Sequence, residues 1–237
     1  MLQIEHLTKC YTPGVKAVDD LSLHVEPGDL CGFIGHNGAG KTTTLKAVAG
    51  ILRYDAGTIR VDGHDMQTDA LAGKKTLAYI PDNPDLYHYL TGIQYLNFVA
   101  DIFEVDQSTR TERIERYADA LEMTSKLGEL IGACSHGMKQ KIALIGALLH
   151  APKLLLLDEP FVGLDPKAAH TVKQIMRELC AEGGAIFFST HVLEVAEKLC
   201  NKVAIIKNGR LVTVGDMDKV KGDSSLEELF LELTDHA

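Results

Sequence analysis

The segment Gly35-His36-Asn37-Gly38-Ala39-Gly40-Lys41-Thr42-Thr43 places three glycines and a lysine directly behind the apolar run LCGFI. It fits the pattern G-x4-G-K-[ST] between a predicted strand and a predicted helix from about Lys41 to Ala49, which is the context a phosphate loop requires. The chemistry follows from the residue types. Glycines reach the open backbone angles at which successive N–H groups point inward and cradle phosphate oxygens. The helix N-terminus adds positive potential. Lys41 reaches the β and γ phosphates, and the Thr42 hydroxyl offers an oxygen to Mg²⁺. A Gly-rich turn that binds nothing is the plain alternative, and the flanking strand and helix argue against it. The loop by itself indicates a nucleoside triphosphate without separating kinase, GTPase, helicase and transporter.

A second constellation lies 117 residues past Lys41, where LLLLDEP sets Asp158 and Glu159 at the end of a buried strand. In an open α/β sheet, ligands gather at that end. Asp158 can hold Mg²⁺ through water, and Glu159 can accept a proton from an attacking water. The bland alternative is a pair of solvated acids. A GTPase would be expected to carry Asn-Lys-x-Asp, and the only Asn-Lys pair, Asn201-Lys202, continues as Val203-Ala204. CSHGMKQK, from Cys134 to Lys141, opens a strong helix with Ser135 as a plausible N-cap and Gly137 allowing close approach of a ligand; read alone it is a capped helix. FFSTH puts His191 just past another buried strand, 33 residues after Asp158, and a lone histidine is ordinarily a surface or satisfied core residue.

The elements that must position these groups are legible from periodicity. LQIEHL and LSLHVE alternate with period two, and GTIRVDG, LAYI, KLLLLD and AIFFST read as further strands. From Thr91 to about His150 the texture turns helical. KVAIIK and RLVTVG flank Asn208-Gly209, a hairpin turn signal. The expected fold class is α/β: a phosphate-loop NTPase core with a parallel sheet, an N-terminal antiparallel β part and an inserted α-helical subdomain. One domain is expected over 1–237, with 1–85 and 151–215 as the catalytic core, 86–150 as the helical insert and 216–237 as a tail helix capped by Ser224 or Ser225.

Bulk properties set limits. The 237 residues suit one large domain. With 24 Lys and Arg against 33 Asp and Glu, the net charge is −9, which disfavours nucleic acid as a main partner. The five cysteines include no CxxC pair, which points to free thiols in a reducing cytosol. No signal peptide is visible. The longest run without Asp, Glu, Lys or Arg, Leu86 to Ala100, has 15 residues, short of the roughly 20 that a spanning helix needs.

Taken together, the motifs resemble the ATP-binding subunits of ABC transporters from about Met1 to Gly215. Gly35 to Thr43 looks like Walker A, Asp82 sits at the Q-loop position, and Cys134 to Met138 looks like the signature motif. Leu154 to Asp158 with Glu159 looks like Walker B and the catalytic glutamate. Gly163-Leu164-Asp165 resembles the D-loop, and His191 the switch histidine. The resemblance implies ATP and Mg²⁺ as cofactors, with Tyr11 stacking on adenine, Gly35 to Thr43 together with Ser135, Gly137 and Asp165 around the nucleotide, and Thr42, Asp158 and Asp82 near the metal. It implies Lys41, Glu159 and His191 as the catalytic set, His191 contacting the γ-phosphate and holding the water in line.

The resemblance further implies a head-to-tail dimer with a second copy or a paralogous ATPase subunit, in which the signature helix of one chain covers the ATP of the other. A separate membrane-spanning permease would be the partner, engaged near Asp82 to Leu90, with Tyr87 and Tyr89 facing it or packed into the helical insert. The chain is then expected as a peripheral protein on the cytoplasmic face of the membrane. Three positions depart from the family pattern: Cys134-Ser135-His136-Gly137-Met138 replaces Leu-Ser-Gly-Gly-Gln, Asp82 replaces Gln, and His36 stands where proline is common. SxGMKQ and the tail SLEELFLELT resemble the branch that pairs with separate, mainly exporting, membrane subunits. A soluble ABC ATPase acting as a motor would be expected to carry two such domains or a coiled-coil insertion. A small-molecule kinase would need an acceptor pocket that nothing in the sequence marks.

Overall fold

The computed structural model describes residues 1–222 and 224–235. Two long strands open the chain, β1 (Leu2–Thr12) and β2 (Val15–Val25), followed by β3 (Leu30–Ile34), helix α1 (Lys41–Val48), β4 (Ala56–Val61), β5 (His64–Asp65), α2 (Ala70–Thr76) and β6 (Leu77–Ile80). Helices α3 (Gly92–Ile102), α4 (Gln107–Ala120) and α5 (His136–Leu148) come next. The chain then alternates through β7 (Leu154–Asp158), α6 (Pro166–Ala181), β8 (Ala185–Thr190), α7 (Leu193–Leu199), β9 (Lys202–Lys207) and β10 (Arg210–Asp216), and ends in α8 (Met217–Lys221) and α9 (Leu226–Asp235).

Two sheets result. One is antiparallel, in the order β2-β1-β4-β5. The other runs β10-β9-β3-β8-β7-β6, with every neighbouring pair from β9 to β6 parallel and β10 antiparallel at its edge. This is the expected α/β class. β3, β7 and β8 are buried along their whole length, as strands covered on both faces must be. Their alternation divides the core. Ile34, Leu155, Leu157, Ile186 and Phe188 join the cluster built with the helices α3 to α6. Cys31, Phe33, Leu154, Leu156 and Phe187 face the other way, onto α1 and the antiparallel sheet.

Local chemistry sets the element ends. Thr91 and Gln94 form a reciprocal capping box at α3, Ser135 accepts from Met138 N at the start of α5, and Asp165 caps α6 with Pro166 at its first position. Asn208 and Gly209 take φ of 50° and 80° in the β9–β10 turn, the backbone a two-residue hairpin demands. The structure adds β5 and α2, which periodicity does not mark, because α2 is short and its sequence ALAGKKT has no apolar stripe. Among the described residues the tail from residue 216 holds two short helices rather than one. Of the two candidate caps it is Ser225 that closes a reciprocal pair with Glu228 at α9; His236 and Ala237 lie outside the described residues.

Candidate active site

Three neighbouring strands of the parallel sheet, β3, β8 and β7, point their C-terminal ends the same way. Each carries one part of the site: the phosphate loop follows β3, His191 follows β8, and Asp158 and Glu159 follow the leucines of β7. Parallel pairing is therefore what brings residues far apart in sequence to one edge.

The loop is fixed from behind. Gly40 has φ of 111°, and a Cβ there would stand 2.5 Å from the Ala17 carbonyl oxygen, so the position admits no side chain. Lys41 is only 6% exposed. Its ammonium donates to the carbonyl oxygens of Gly35 at 2.6 Å and His36 at 3.3 Å. It lies 3.9 Å from Glu159 Oε1. Burial holds the Lys41 pKa below its ordinary value, and the charges of Glu159 and Asp158 oppose that shift.

Asp158 is 1% exposed. The Thr42 hydroxyl donates to its Oδ2 at 2.7 Å, and the Ser189 hydroxyl donates to its Oδ1. Thr42 and Asp158 thus present two hard oxygen groups side by side, the donor type Mg²⁺ selects. Glu159, with φ of 49°, is held in the left-handed region, a strained conformation that clusters at functional sites. Its amide donates to Ser189 Oγ at 3.1 Å. Its carboxylate meets His191 Nδ1 at 3.0 Å.

Tyr11, His36, Asn37, Gly38, Gly40, Lys41, Thr42, Thr43, Asp82, Asp158 and Glu159 line one cavity of about 380 Å³. Gly35 and Ala39 are buried beneath it. Tyr11 is 63% exposed and its hydroxyl lies 3.3 Å from Thr43 Oγ1. Asp82 accepts from Asn83 N at 2.8 Å. Within one chain, Ser135, Gly137 and Asp165 do not line this cavity. The start of α5 lies instead against the loop that precedes α6: a Cβ on Gly137 would approach Gly163 O to 2.5 Å, and Lys141 Nζ lies 3.4 Å from Asp165 Oδ2.

Two residues here escape a motif reading. Ser189 joins Asp158 to Glu159, and its signal is a hydroxyl at the end of an otherwise apolar buried strand. Tyr79 in β6 has a buried hydroxyl without a hydrogen-bond partner among the described residues; burial, then Asp158 and Asp82, push its pKa up.

A buried lysine in a glycine loop, a capped hydroxyl–carboxylate pair and a carboxylate–histidine contact at parallel strand ends define a phosphate-loop nucleoside triphosphatase. Residues 18–162 match the ABC transporter family. The chain is 37% identical over 93% of its length to the uncharacterized ABC transporter ATP-binding protein YxlF of Bacillus subtilis (strain 168), covering 72% of that protein. It is 32% identical over 99% of its length to the ABC-type transporter ATP-binding protein EcsA of the same organism, covering 96% of it. Nod factor export ATP-binding protein I of Burkholderia pseudomallei (strain 1710b) is 36% identical over 84% of the chain and 65% of that relative. A solved structure described as an ATP-binding subunit of an ABC transporter superposes with a TM-score of 0.94 at 33% identity, over 99% of both chains. The chain belongs to the ABC transporter family and is an ATP-binding ATPase domain of it.

Proposed function

We propose that the protein hydrolyses ATP to drive a separate membrane-spanning ABC partner, working as a head-to-tail dimer with two composite sites. The observation that carries this reading is the incompleteness of the cavity in a single chain. Lys41, Thr42, Asp158 and Glu159 line the cavity and His191 meets it through Glu159, whereas Ser135 and Gly137, at the start of α5, are not among its lining residues. A helix N-terminus suited to an anion then acts on the nucleotide of a second copy or a paralogous subunit.

In the reaction, Glu159 takes the proton of the attacking water. Its distance from His191 suits a histidine that orients the carboxylate and contacts the γ-phosphate. Lys41 exchanges its carbonyl partners for phosphate oxygens. Thr42 and Asp158 are the residues that would hold Mg²⁺, with Asp82 nearby in the same cavity; the ion, when bound, neutralises charge that develops on the phosphates. Tyr11 stacks on the adenine, and Asp165 serves the composite site from the D-loop.

The membrane partner is expected along the segment from Asp82 to Leu90. Tyr87 and Tyr89 are exposed there; the Tyr87 ring lies tilted against Tyr89, with centroids 5.8 Å apart, and edge-on to Phe98 at 5.5 Å. Among the described residues no helix is long and apolar enough to cross a membrane, which fits a peripheral subunit at the cytoplasmic face. Export is favoured over import, supported by the Nod factor export relative and the SxGMKQ signature. Purified Glu159→Gln protein is expected to lose hydrolysis by about 10²–10⁴-fold, the range for a general base, and to form an ATP-dependent dimer on sizing. Retained hydrolysis removes Glu159 from this role. A dimer that never forms removes the composite site.

A further inference from the structure

The tail helix α9 bears on the phosphate loop. The Phe230 ring meets the His36 ring edge-on, with centroids 4.9 Å apart and planes at 62°. Phe230 is 6% exposed and belongs to the main core cluster. His36 is exposed but its backbone is not idle: its carbonyl accepts from Ala39 N at 3.1 Å, closing the first turn of the loop, and from Lys41 Nζ at 3.3 Å. One ring contact therefore separates the tail from the residue whose carbonyl holds the phosphate-binding lysine.

The same helix is tied to the element that follows His191. Leu226, fully buried, donates its amide to Glu197 Oε2 at 3.2 Å, and Glu197 pairs with Lys221 at 2.8 Å. Glu197 lies on α7, which begins two residues after His191. A short helix, capped by Ser225, thus spans the lysine side of the site and the histidine side.

We infer that Phe230 is a positioning residue for the nucleotide site: through the His36 ring it fixes the first turn of the phosphate loop in the conformation that accepts ATP. This gives His36 a reason to stand where the family commonly has proline. A proline stiffens the turn by its own ring, whereas histidine is stiffened by a contact brought from residue 230. The inference rests on the ATPase reading. Because Lys41 meets the phosphates in both ground and transition states, loosening the loop weakens uniform binding, which raises KM and leaves kcat in place.

The test uses the full-length chain and fluorescently labelled ATP as probe. Phe230→Leu keeps an apolar side chain in the core and removes the ring. It is expected to raise the Kd and KM for ATP roughly two- to tenfold, as the loss of an aromatic pair predicts, with kcat retained. Phe230→Tyr restores wild-type binding. His36→Ala, at an exposed position, raises Kd by a similar factor, and Phe230→Leu adds nothing in that background. An unchanged Kd in either single variant overturns the assignment, and so does a Phe230→Leu effect that persists beside His36→Ala, which marks Phe230 as merely structural. Wild-type protein that binds no ATP overturns the ATPase reading itself, a result distinct from all of these.

Discussion

His191 Nδ1 lies 3.0 Å from Glu159 Oε1, although 32 residues and a whole helix separate them in the chain. The contact exists because β7 and β8 are parallel neighbours, with Asp158 registered opposite Ser189. Both side chains leave the sheet at its C-terminal edge. Lys41 approaches the same carboxylate oxygen at 3.9 Å, so Glu159 Oε1 is the point at which three separate loops meet.

Removing the imidazole should free that carboxylate. His191→Ala is expected to lower kcat by roughly 10²-fold, at the lower end for a group assisting proton transfer, with the Kd for ATP little changed because Lys41 and the loop amides remain. Single-turnover hydrolysis and equilibrium nucleotide binding on the same preparation separate the two quantities. A variant that hydrolyses at the wild-type rate would show that the histidine contact is idle.

Ser189 holds Asp158 and Glu159 together from underneath. In Ser189→Ala the buried Asp158 keeps the Thr42 donor and loses the Ser189 one, a loss expected to cost about 1–3 kcal/mol. For a chain of this size that is a fall in Tm of several degrees, at roughly 2–4 °C per kcal/mol. Calorimetry without nucleotide reads the stability, and hydrolysis against Mg²⁺ concentration reads the effect on Asp158. Unchanged Tm and Mg²⁺ dependence would assign Asp158 no need of the serine.

His150 gives a pH dependence with a definite sign. It is stacked on Phe103 at 3.7 Å between ring centroids, with Nε2 placed 3.2 Å from the Leu77 carbonyl oxygen and Nδ1 buried without a hydrogen-bond partner among the described residues. Burial holds its pKa down at about 4, against an ordinary 6.5; the Leu77 carbonyl opposes that shift and Arg113 adds to it. The unfolded chain is therefore protonated first on acidification. The contribution of neutral His150 is whole above about pH 6.5 and lost as pH falls towards 4. Between pH 7 and 5 the wild type should lose about 2 kcal/mol relative to His150→Gln, from the linkage of a single proton. Urea unfolding of both proteins at the two pH values measures it, and parallel pH profiles would refute it.

Much of this protein was legible before any fold was known. G-x4-G-K-T behind LCGFI names its ligand class, because only glycines allow a backbone to wrap phosphate and only a lysine after them reaches the outer phosphates. LLLLD and AIFFST declare strands buried on both faces, since nothing polar interrupts them. Asp165-Pro166 and Ser135 announce helix starts through local hydrogen bonding. Each of these signals is short-range, and short-range chemistry is written in neighbouring residues.

What the tertiary structure alone decided is pairing across distance. Strand order places β8 between β3 and β7, and that order brings three separate motifs to one edge of the sheet. It makes Ser189 a support for two carboxylates, leaves Ser135 and Gly137 outside the cavity of their own chain, and seats Phe230 on His36. No periodicity encodes these contacts, because each depends on which buried surfaces find one another once the sheet has formed. His36 shows the difference most directly: the loop motif gives no reason for a histidine there, and its ring partner, Phe230, lies near the other end of the chain.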